Sequence, residues 1–317
     1  MEIKSCIITL STICQLSCPT CRAGGLRNNY PNVKTGFMTR DTLVNIMKKV
    51  PFHNCNYHNW GEPFLHKQLV EFIKIGKSYG KRIEIHTNMQ IMTADIARNI
   101  VESGLDILYI SCDGVTQEAY EKYRVGGKLQ KLTENASLLA SVKSQLESLT
   151  PQIIWKMVVN KFNQHQADDF VEFAENHGAD RALCADMYSQ TPEGWFEIDK
   201  YATTDERWKA VKVLGTVEKC KEPFQRFSID WNGDVYTCCN PTGIEVYKMG
   251  NINEQTFDEI WHGEKYQYAR RFCESGEPED NGHILQCHAC FNKFPNKSLR
   301  EQDMWAPCLD VMEKQNG

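Results

Sequence analysis

The sequence predicts an α/β fold in which a parallel sheet curls into a partial (β/α)6 barrel, followed by a small C-terminal α+β unit. Short apolar segments alternate with amphipathic stretches six times over residues 3–187. Such repeats imply parallel strands joined by right-handed crossovers. Beyond about residue 190 the alternation ends and a hairpin pattern replaces it. Polar residues that suit a functional site follow several of the predicted strands, at the barrel end where function collects.

The predicted elements follow from periodicity and from the residues that begin and end helices. Strands are expected at 3–10, 53–59, 82–87, 106–112, 152–159 and 181–187, and helices at 39–50, 66–79, 93–103, 130–147 and 164–177. Thr39 and Thr93 are suitable N-caps. Helix ends are predicted at three glycines, Gly80, Gly104 and Gly178.

The C-terminal part is predicted to contain a hairpin and two helical segments. Residues 227–237 alternate around Asn232-Gly233, a strong hairpin signal. A linking helix is expected at 203–217 and a short helical run at 255–273. We therefore divide the chain into a barrel at 1–190, a linker region at 191–219, a small unit at 220–310 and a mobile tail at 311–317.

Composition narrows the class of protein. The 317 residues carry a formal charge of −5 and no basic tract, which argues against a nucleic-acid partner. No apolar run approaches the ~20 residues that span a bilayer, and the first residues lack the features of a signal peptide. Fourteen cysteines in a chain of this length without sign of secretion point to metal rather than disulfides. We expect a cytoplasmic protein.

Three cysteines close to the N-terminus predict a cluster with an open iron. Cys14, Cys18 and Cys21 follow the apolar run at 7–10 with the spacing Cys-x3-Cys-x2-Cys. Three thiolates hold three irons of a 4Fe–4S cube and leave the fourth free for a small molecule. A structural zinc site wants four protein ligands, and disulfides want an even number of thiols.

This spacing resembles the signature of the radical S-adenosylmethionine (radical SAM) superfamily. Trp60-Gly61-Glu62-Pro63 is similar to the family's GEP motif, which grips the SAM amino group. His86-Thr87-Asn88 and Ser111-Cys112-Asp113 end strands where the family contacts SAM, and 120–127 resembles a segment of the SPASM/twitch subgroup. The resemblance implies SAM contacts from Gly61, Glu62, Pro63, His86, Thr87, Asn88, Ser111, Asp113 and Arg124. For Arg124, a solvated helix face is the alternative.

One position departs from the family pattern. Many members have an aromatic residue just before the third cysteine, packed near the adenine. Here that position is Thr20, so the adenine contact is expected from elsewhere.

A second metal site is predicted around the hairpin. Cys220, Cys238, Cys287 and Cys290 combine two distant thiols with a Cys-x2-Cys step. Zinc and a fully ligated 4Fe–4S cluster both suit four thiolates. The resemblance favours a SPASM/twitch auxiliary cluster, because Cys220-x12-Gly233-x4-Cys238 fits the opening of that pattern. Residues 291–307 contain no further cysteine, so we expect one auxiliary cluster, as in twitch-type sugar and cyclitol dehydrogenases.

Catalytic candidates come from the remaining thiols and late strands. Cys184, on the sixth strand, and Cys239, beside a presumed ligand, are possible hydrogen-atom donors. Asp186 is a candidate base for a substrate hydroxyl, with an exposed strand-end acid as the alternative. Cys6 and Cys55 are expected to be core residues.

The resemblance implies two 4Fe–4S clusters, SAM as cosubstrate and an electron donor such as flavodoxin or ferredoxin. The expected reaction is reductive cleavage of SAM to a 5′-deoxyadenosyl radical and hydrogen abstraction from a small polyol, sugar or cyclitol, giving dehydrogenation or epimerisation. One alternative is a ribosomal-peptide-modifying enzyme that makes epimers or crosslinks on a short peptide. Another is a non-enzymatic, zinc-stapled binding protein.

Overall fold

The computed structural model describes residues 3–30, 32–189, 198–212, 217–240, 242–291 and 293. Its strands are β1 (Ser5–Ile8), β2 (Asn54–Asn56), β3 (Arg82–Thr87), β4 (Ile107–Ser111), β5 (Gln152–Val159), β6 (Arg181–Asp186), β7 (Tyr188–Ser189), β8 (Val211–Lys212), β9 (Arg226–Ile229), β10 (Asp234–Tyr236) and β11 (Gly250–Asn251).

The α-helices within these residues include α1 (Arg40–Lys49), α2 (Leu69–Ser78), α3 (Ala94–Glu102), α4 (Gln117–Tyr123), α5 (Leu129–Gln145), α6 (Phe170–Glu175), α7 (Glu222–Gln225), α8 (Phe257–Trp261), α9 (Glu264–Ser275) and α10 (Gln286–Cys290). Short 3-10 turns lie at Arg27–Asn29, Pro63–Leu65, Gln164–Gln166, Glu206–Trp208 and Glu245–Tyr247.

The predicted parallel sheet is confirmed, and α1, α2, α3 and α5 lie where helices were expected, whereas the segment 164–177 is a 3-10 turn at Gln164–Gln166 followed by the shorter helix α6. Strands β1 to β6 pair in chain order, each parallel to the next, as a partial barrel. Thr39 and Thr93 cap α1 and α3 by accepting backbone N–H groups. The hydrophobic core lies between the strands and the helices, and it includes Cys6 and Cys55, which face each other across β1 and β2 as expected.

Three local predictions are wrong or incomplete. Within the expected linking helix at 203–217, the described residues form a 3-10 turn at Glu206–Trp208 and then β8, which pairs with β7. The helical run at 255–273 is two helices, because Gly263 begins α9 after α8 has ended at Trp261. Helix α4 was not expected as a separate helix. Residues 190–197 and the tail at 311–317 lie outside the described residues.

The C-terminal hairpin is confirmed, and it is joined to the barrel. Strands β9 and β10 are antiparallel, and Gly233 in their turn has a φ of +92°, which favours glycine. Strand β9 also pairs in parallel with β1, from Ser5 opposite Arg226 to Ile8 opposite Ile229. One nine-stranded sheet therefore runs in the order β11-β10-β9-β1-β2-β3-β4-β5-β6. In the part of the chain that is described, no helix is long and apolar enough to cross a membrane.

Candidate active site

The three N-terminal cysteines lie on a tightly folded loop that follows β1. The backbone N–H groups of Cys21 and Gly25 both donate to the carbonyl of Cys18, over 3.1 and 2.9 Å. The N–H of Leu16 points at the sulfur of Cys14, 3.4 Å away. The chain's own turns therefore set the positions of the thiols.

These thiols face a cavity of about 220 Å3 at the carboxyl ends of the strands. The residues around it come from the loops after β1, β2 and β3, from the carboxyl-terminal ends of β3, β4 and β5, and from the end of α4. They include Cys14, Cys18, Cys21, His58, Asn59, Gly61, Glu62, His86, Thr87, Asn88, Ser111, Tyr123, Arg124 and Val158. The structure thus brings together the three cysteines and most of the residues that the sequence assigned to SAM.

Glu62 is the carboxylate of this cavity, and it is only 2% exposed. Its oxygens accept hydrogen bonds from Phe64 N, Thr87 Oγ1 and Asn88 N, over 3.0, 2.8 and 2.8 Å. Burial raises the pKa of Glu62, and these hydrogen bonds oppose that shift. Gly61 is required next to it, because its φ is +101° and a Cβ would lie 2.1 Å from the carbonyl oxygen of Ser11.

Arg124 is held by an acid rather than solvated. Its Nε donates to Oδ2 of the fully buried Asp113 over 2.6 Å, and its Nη1 points at the sulfur of Cys18, 3.8 Å away. The solvated helix-face alternative for Arg124 is therefore wrong. Asp113 also accepts from Val158 N over 2.7 Å and lies behind Arg124, so its placement suits positioning Arg124 rather than touching a ligand.

The three thiols suit a metal cluster. Burial raises the pKa of Cys14 to about 11 and that of Cys21 to about 12, so both are protonated at neutral pH when no metal is bound. Metal binding must release those protons. Among the described residues no three His, Cys, Asp or Glu side chains converge as closely as one metal ion requires. The ligands of a multi-iron cube stand further apart than those of a single metal ion, so three thiols around one cavity suit such a cube.

A second cavity, of about 170 Å3, lies beside the hairpin. All four cysteines of the predicted second site line it: Cys220, Cys238, Cys287 and Cys290. Cys239, Glu222 and Gln286 line it too. The donor set is rich in sulfur, as iron–sulfur clusters require.

Two family models match the chain at these two sites. Residues 8–150 match the radical SAM superfamily, and residues 220–291 match SPASM, an iron-sulfur cluster-binding domain. The chain is a radical SAM enzyme with a SPASM domain. Radical SAM enzymes use SAM and a 4Fe–4S cluster, and SPASM domains bind auxiliary clusters, so both cofactors belong to this protein.

The chain is similar to proteins whose names describe different activities. The tungsten-containing aldehyde ferredoxin oxidoreductase cofactor-modifying protein of Pyrococcus furiosus is 24% identical, covering 84% of this chain and 83% of that protein. The cysteine-type anaerobic sulfatase-maturating enzyme of Clostridium novyi is 25% identical, covering 90% and 84%. The solved structure of BtrN in complex with AdoMet and 2-DOIA has a TM-score of 0.54 at 16% identity, covering 87% and 89%. That structural likeness shows the fold.

The predicted catalytic residues of this radical SAM enzyme do not meet at the first cavity. Cys184 lies opposite Met157 of β5 on the side of the sheet that packs against helices, and its sulfur points at the carbonyl of Ala167, 3.8 Å away. Asp186, at the end of β6, is exposed. Cys239 lines the second cavity. None of the three is among the residues described around the first cavity.

The structure adds residues that the sequence did not reveal. Asn59 lines the first cavity, and its Nδ2 donates to the carbonyl of Cys239 at the second. Arg22, directly after Cys21, donates to the carbonyl of Thr242 over 3.1 Å. Cys273 packs in one cluster with Cys220 and Cys287. Asn59 and Arg22 contact residues that are far away in the chain, so no pattern among their sequence neighbours predicts these contacts.

A tyrosine lies close to Thr20, the position at which many members of the family have an aromatic residue. The hydroxyl of Tyr123 forms a 2.5 Å hydrogen bond with Oγ1 of Thr20, and Tyr123 lines the first cavity. An aromatic ring therefore stands beside the cluster loop although residue 20 is a threonine.

Proposed function

We propose that this radical SAM enzyme dehydrogenates a small polyol, sugar or cyclitol. The observation that carries the proposal is that Cys14, Cys18 and Cys21 line the same cavity as Glu62 and Asn88. A cluster ligand set and a carboxylate suited to an ammonium group thus share one enclosed space. A second thiol-lined cavity stands beside the C-terminal hairpin.

In this proposal Cys14, Cys18 and Cys21 hold the first 4Fe–4S cluster. With an electron from a flavodoxin- or ferredoxin-type donor, the bound cluster and SAM supply a 5′-deoxyadenosyl radical that takes one hydrogen atom from the substrate. Glu62 binds the SAM ammonium by charge-assisted hydrogen bonding. Arg124, fixed by Asp113, donates towards Cys18 and so tunes the cluster. Tyr123 is the proposed aromatic contact for the adenine.

The second site suits an oxidation. Turning an alcohol into a carbonyl removes two hydrogens. One leaves as the hydrogen atom that the radical takes, and the remaining carbon-centred radical must then lose one electron and one proton. Cys220, Cys238, Cys287 and Cys290 are proposed to hold the auxiliary cluster that accepts the electron. The proton is proposed to pass to solvent water, because Asp186, the candidate base, is exposed at the end of β6 and is not among the residues around the first cavity.

Epimerisation has less support from the geometry. It needs a hydrogen-atom donor at the substrate, and Cys184 points to the helix side of the sheet while Cys239 lines the second cavity. The zinc-stapled binding protein is set aside because both family models describe radical SAM and iron–sulfur chemistry.

Peptide modification is a second candidate. Its support is the likeness to a sulfatase-maturating enzyme, whose name describes action on a protein.

We propose that the enzyme is located in the cytoplasm, where thiols for cluster assembly stay reduced.

The test begins with the anaerobically reconstituted, dithionite-reduced protein and SAM. Formation of 5′-deoxyadenosine and methionine is expected, and its absence would reject the proposal. In deuterated water, a dehydrogenase yields a product two hydrogens poorer with no solvent deuteron on the reacting carbon. An epimerase that uses a thiol yields an isomer carrying one deuteron there. If Cys184→Ala abolishes deuteron incorporation but allows hydrogen abstraction, the epimerase replaces the dehydrogenase.

A further inference from the structure

The concave face of the barrel below the first cavity holds a lysine in the middle of a strand. Lys156 lies between Trp155 and Met157, which are both fully buried in the core on the helix side of β5. Because side chains alternate along a strand, Lys156 points to the opposite, concave face. Val158, two residues further on that face, lines the cavity.

The register places Lys156 at the level of the cavity residues. It stands directly opposite Ser111 of β4, which also lines the cavity. His58, just beyond β2, and His86, on β3, also line the cavity, and their rings are 4.0 Å apart. Burial lowers the pKa of both histidines, and electrostatic repulsion from Lys156 on the same face of the sheet adds to that shift. His58, with a pKa of about 4, is neutral at pH 7.

Lys156 has no partner among the described residues. Its half-buried ammonium donates no hydrogen bond and forms no ion pair there. Burial lowers the pKa of Lys156 and Asp113 opposes that shift, but both oxygens of the Asp113 carboxylate already accept hydrogen bonds, from Arg124 and Val158. Removing a charge from water without a counter-charge is costly, so the site suits a ligand that brings a negative charge.

We infer that Lys156 binds an anionic group, a carboxylate or a phosphate, on the substrate of this enzyme. This inference rests on the proposed function and narrows its substrate to sugar or cyclitol acids and phosphates. The rings of His86 and Tyr109, with centroids 4.3 Å apart, lie on this face too, so an anionic sugar or cyclitol bound by Lys156 would meet aromatic side chains beside the lysine.

The experiment measures how sugars stimulate 5′-deoxyadenosine formation, each protein being compared with its own rate without sugar. The probes are D-glucose, D-gluconate, D-glucuronate and D-glucose 6-phosphate. Stimulation by the acids but not by glucose is expected, and glucose 6-phosphate alone would assign a phosphate. Stimulation by glucose equal to that by the acids, or no stimulation by any anionic probe, overturns the inference.

Variants of Lys156 test whether its charge binds the anion. Lys156→Met should weaken the apparent affinity for the stimulating anion about tenfold or more, because a charge-assisted hydrogen bond is lost. Lys156→Arg should restore part of it. Lys161→Met is the matched control, since Lys161 is exposed just beyond β5.

The SAM dissociation constant separates the two sources of an anion. If Lys156→Met raises that constant and leaves the anion response unchanged, the lysine binds the SAM carboxylate and the inference is wrong. If the wild-type protein makes no 5′-deoxyadenosine at all, the proposed function fails and this inference fails with it. An active enzyme that ignores every anion refutes the lysine assignment alone.

Discussion

Asn59 donates a hydrogen bond from Nδ2 to the backbone carbonyl of Cys239, 3.0 Å away. Asn59 lines the first cavity and Cys239 lines the second, so one side chain touches both sites. Arg22 makes a parallel link from the cluster loop to Thr242. The relative placement of the two proposed clusters therefore depends on polar contacts as well as on the shared sheet.

We predict that Asn59→Ala weakens this junction. The lost hydrogen bond should lower the midpoint of thermal unfolding by about 1–4 °C. Asn59→Asp should lower it further, because a carboxylate would face the carbonyl oxygen. Differential scanning fluorimetry under anaerobic conditions measures both midpoints. Unchanged midpoints in both variants would show that the contact does not hold the two sites together.

We predict that the reconstituted protein binds about eight irons, from two 4Fe–4S clusters. Replacing Cys14, Cys18 and Cys21 together with alanine should remove about half of that iron, and so should replacing Cys220, Cys238, Cys287 and Cys290. Iron and sulfide assays check the numbers. A colourless protein with stoichiometric zinc would contradict the assignment.

Cys273 should tune the auxiliary cluster without binding it. It packs in one cluster with Cys220 and Cys287, which places its S–H to donate to their sulfurs, but it is not among the residues around the second cavity. Hydrogen bonds to ligand sulfurs raise a cluster's reduction potential, so Cys273→Ala should make the auxiliary potential more negative at constant iron content. Redox titration followed by EPR measures this shift. Loss of about four irons in Cys273→Ala would make Cys273 a ligand instead.

Glu62→Ala should weaken SAM binding by roughly 1.5–3 kcal/mol, because the ammonium loses a charge-assisted hydrogen bond. Glu71→Ala is the matched control, since it removes a half-exposed carboxylate of α2 that pairs with Arg40 and is not among the residues around the first cavity. Equilibrium binding of SAM should be unchanged in Glu71→Ala. Equal losses in the two variants would mean that the loss is not specific to the carboxylate in the cavity.

The stability of the protein should decrease with rising pH because of Asp230. Burial in the hairpin turn raises its pKa to about 7 from an ordinary value of 3.8. Between about pH 4 and 7 the folded carboxyl keeps a proton that the unfolded chain has lost, so each step upward in pH favours unfolding. The total effect is at most roughly 4 kcal/mol. Thermal midpoints across this range should vary less with pH in Asp230→Asn, and an identical slope would contradict the assignment.

Local patterns predicted much of the fold and both groups of cysteines. The order β1 to β6, the caps at Thr39 and Thr93 and the hairpin at Gly233 all depend on near neighbours in the chain. The pairing of β1 with β9 joins residues more than 200 positions apart, and no period in the sequence reports it. For the same reason the direction of Cys184 was missed, since its face depends on how β6 registers with β5.

The pairing of β1 with β9 has a consequence for shortened forms of the protein. In a chain ending at residue 219, β1 would lose its parallel partner and become an open edge. Cys6 and Ile8, fully buried in the whole protein, would then lie on a strand with unpaired backbone groups. Such an edge recruits strands from other molecules. The radical SAM part alone should therefore aggregate, because the SPASM hairpin would no longer cover this edge.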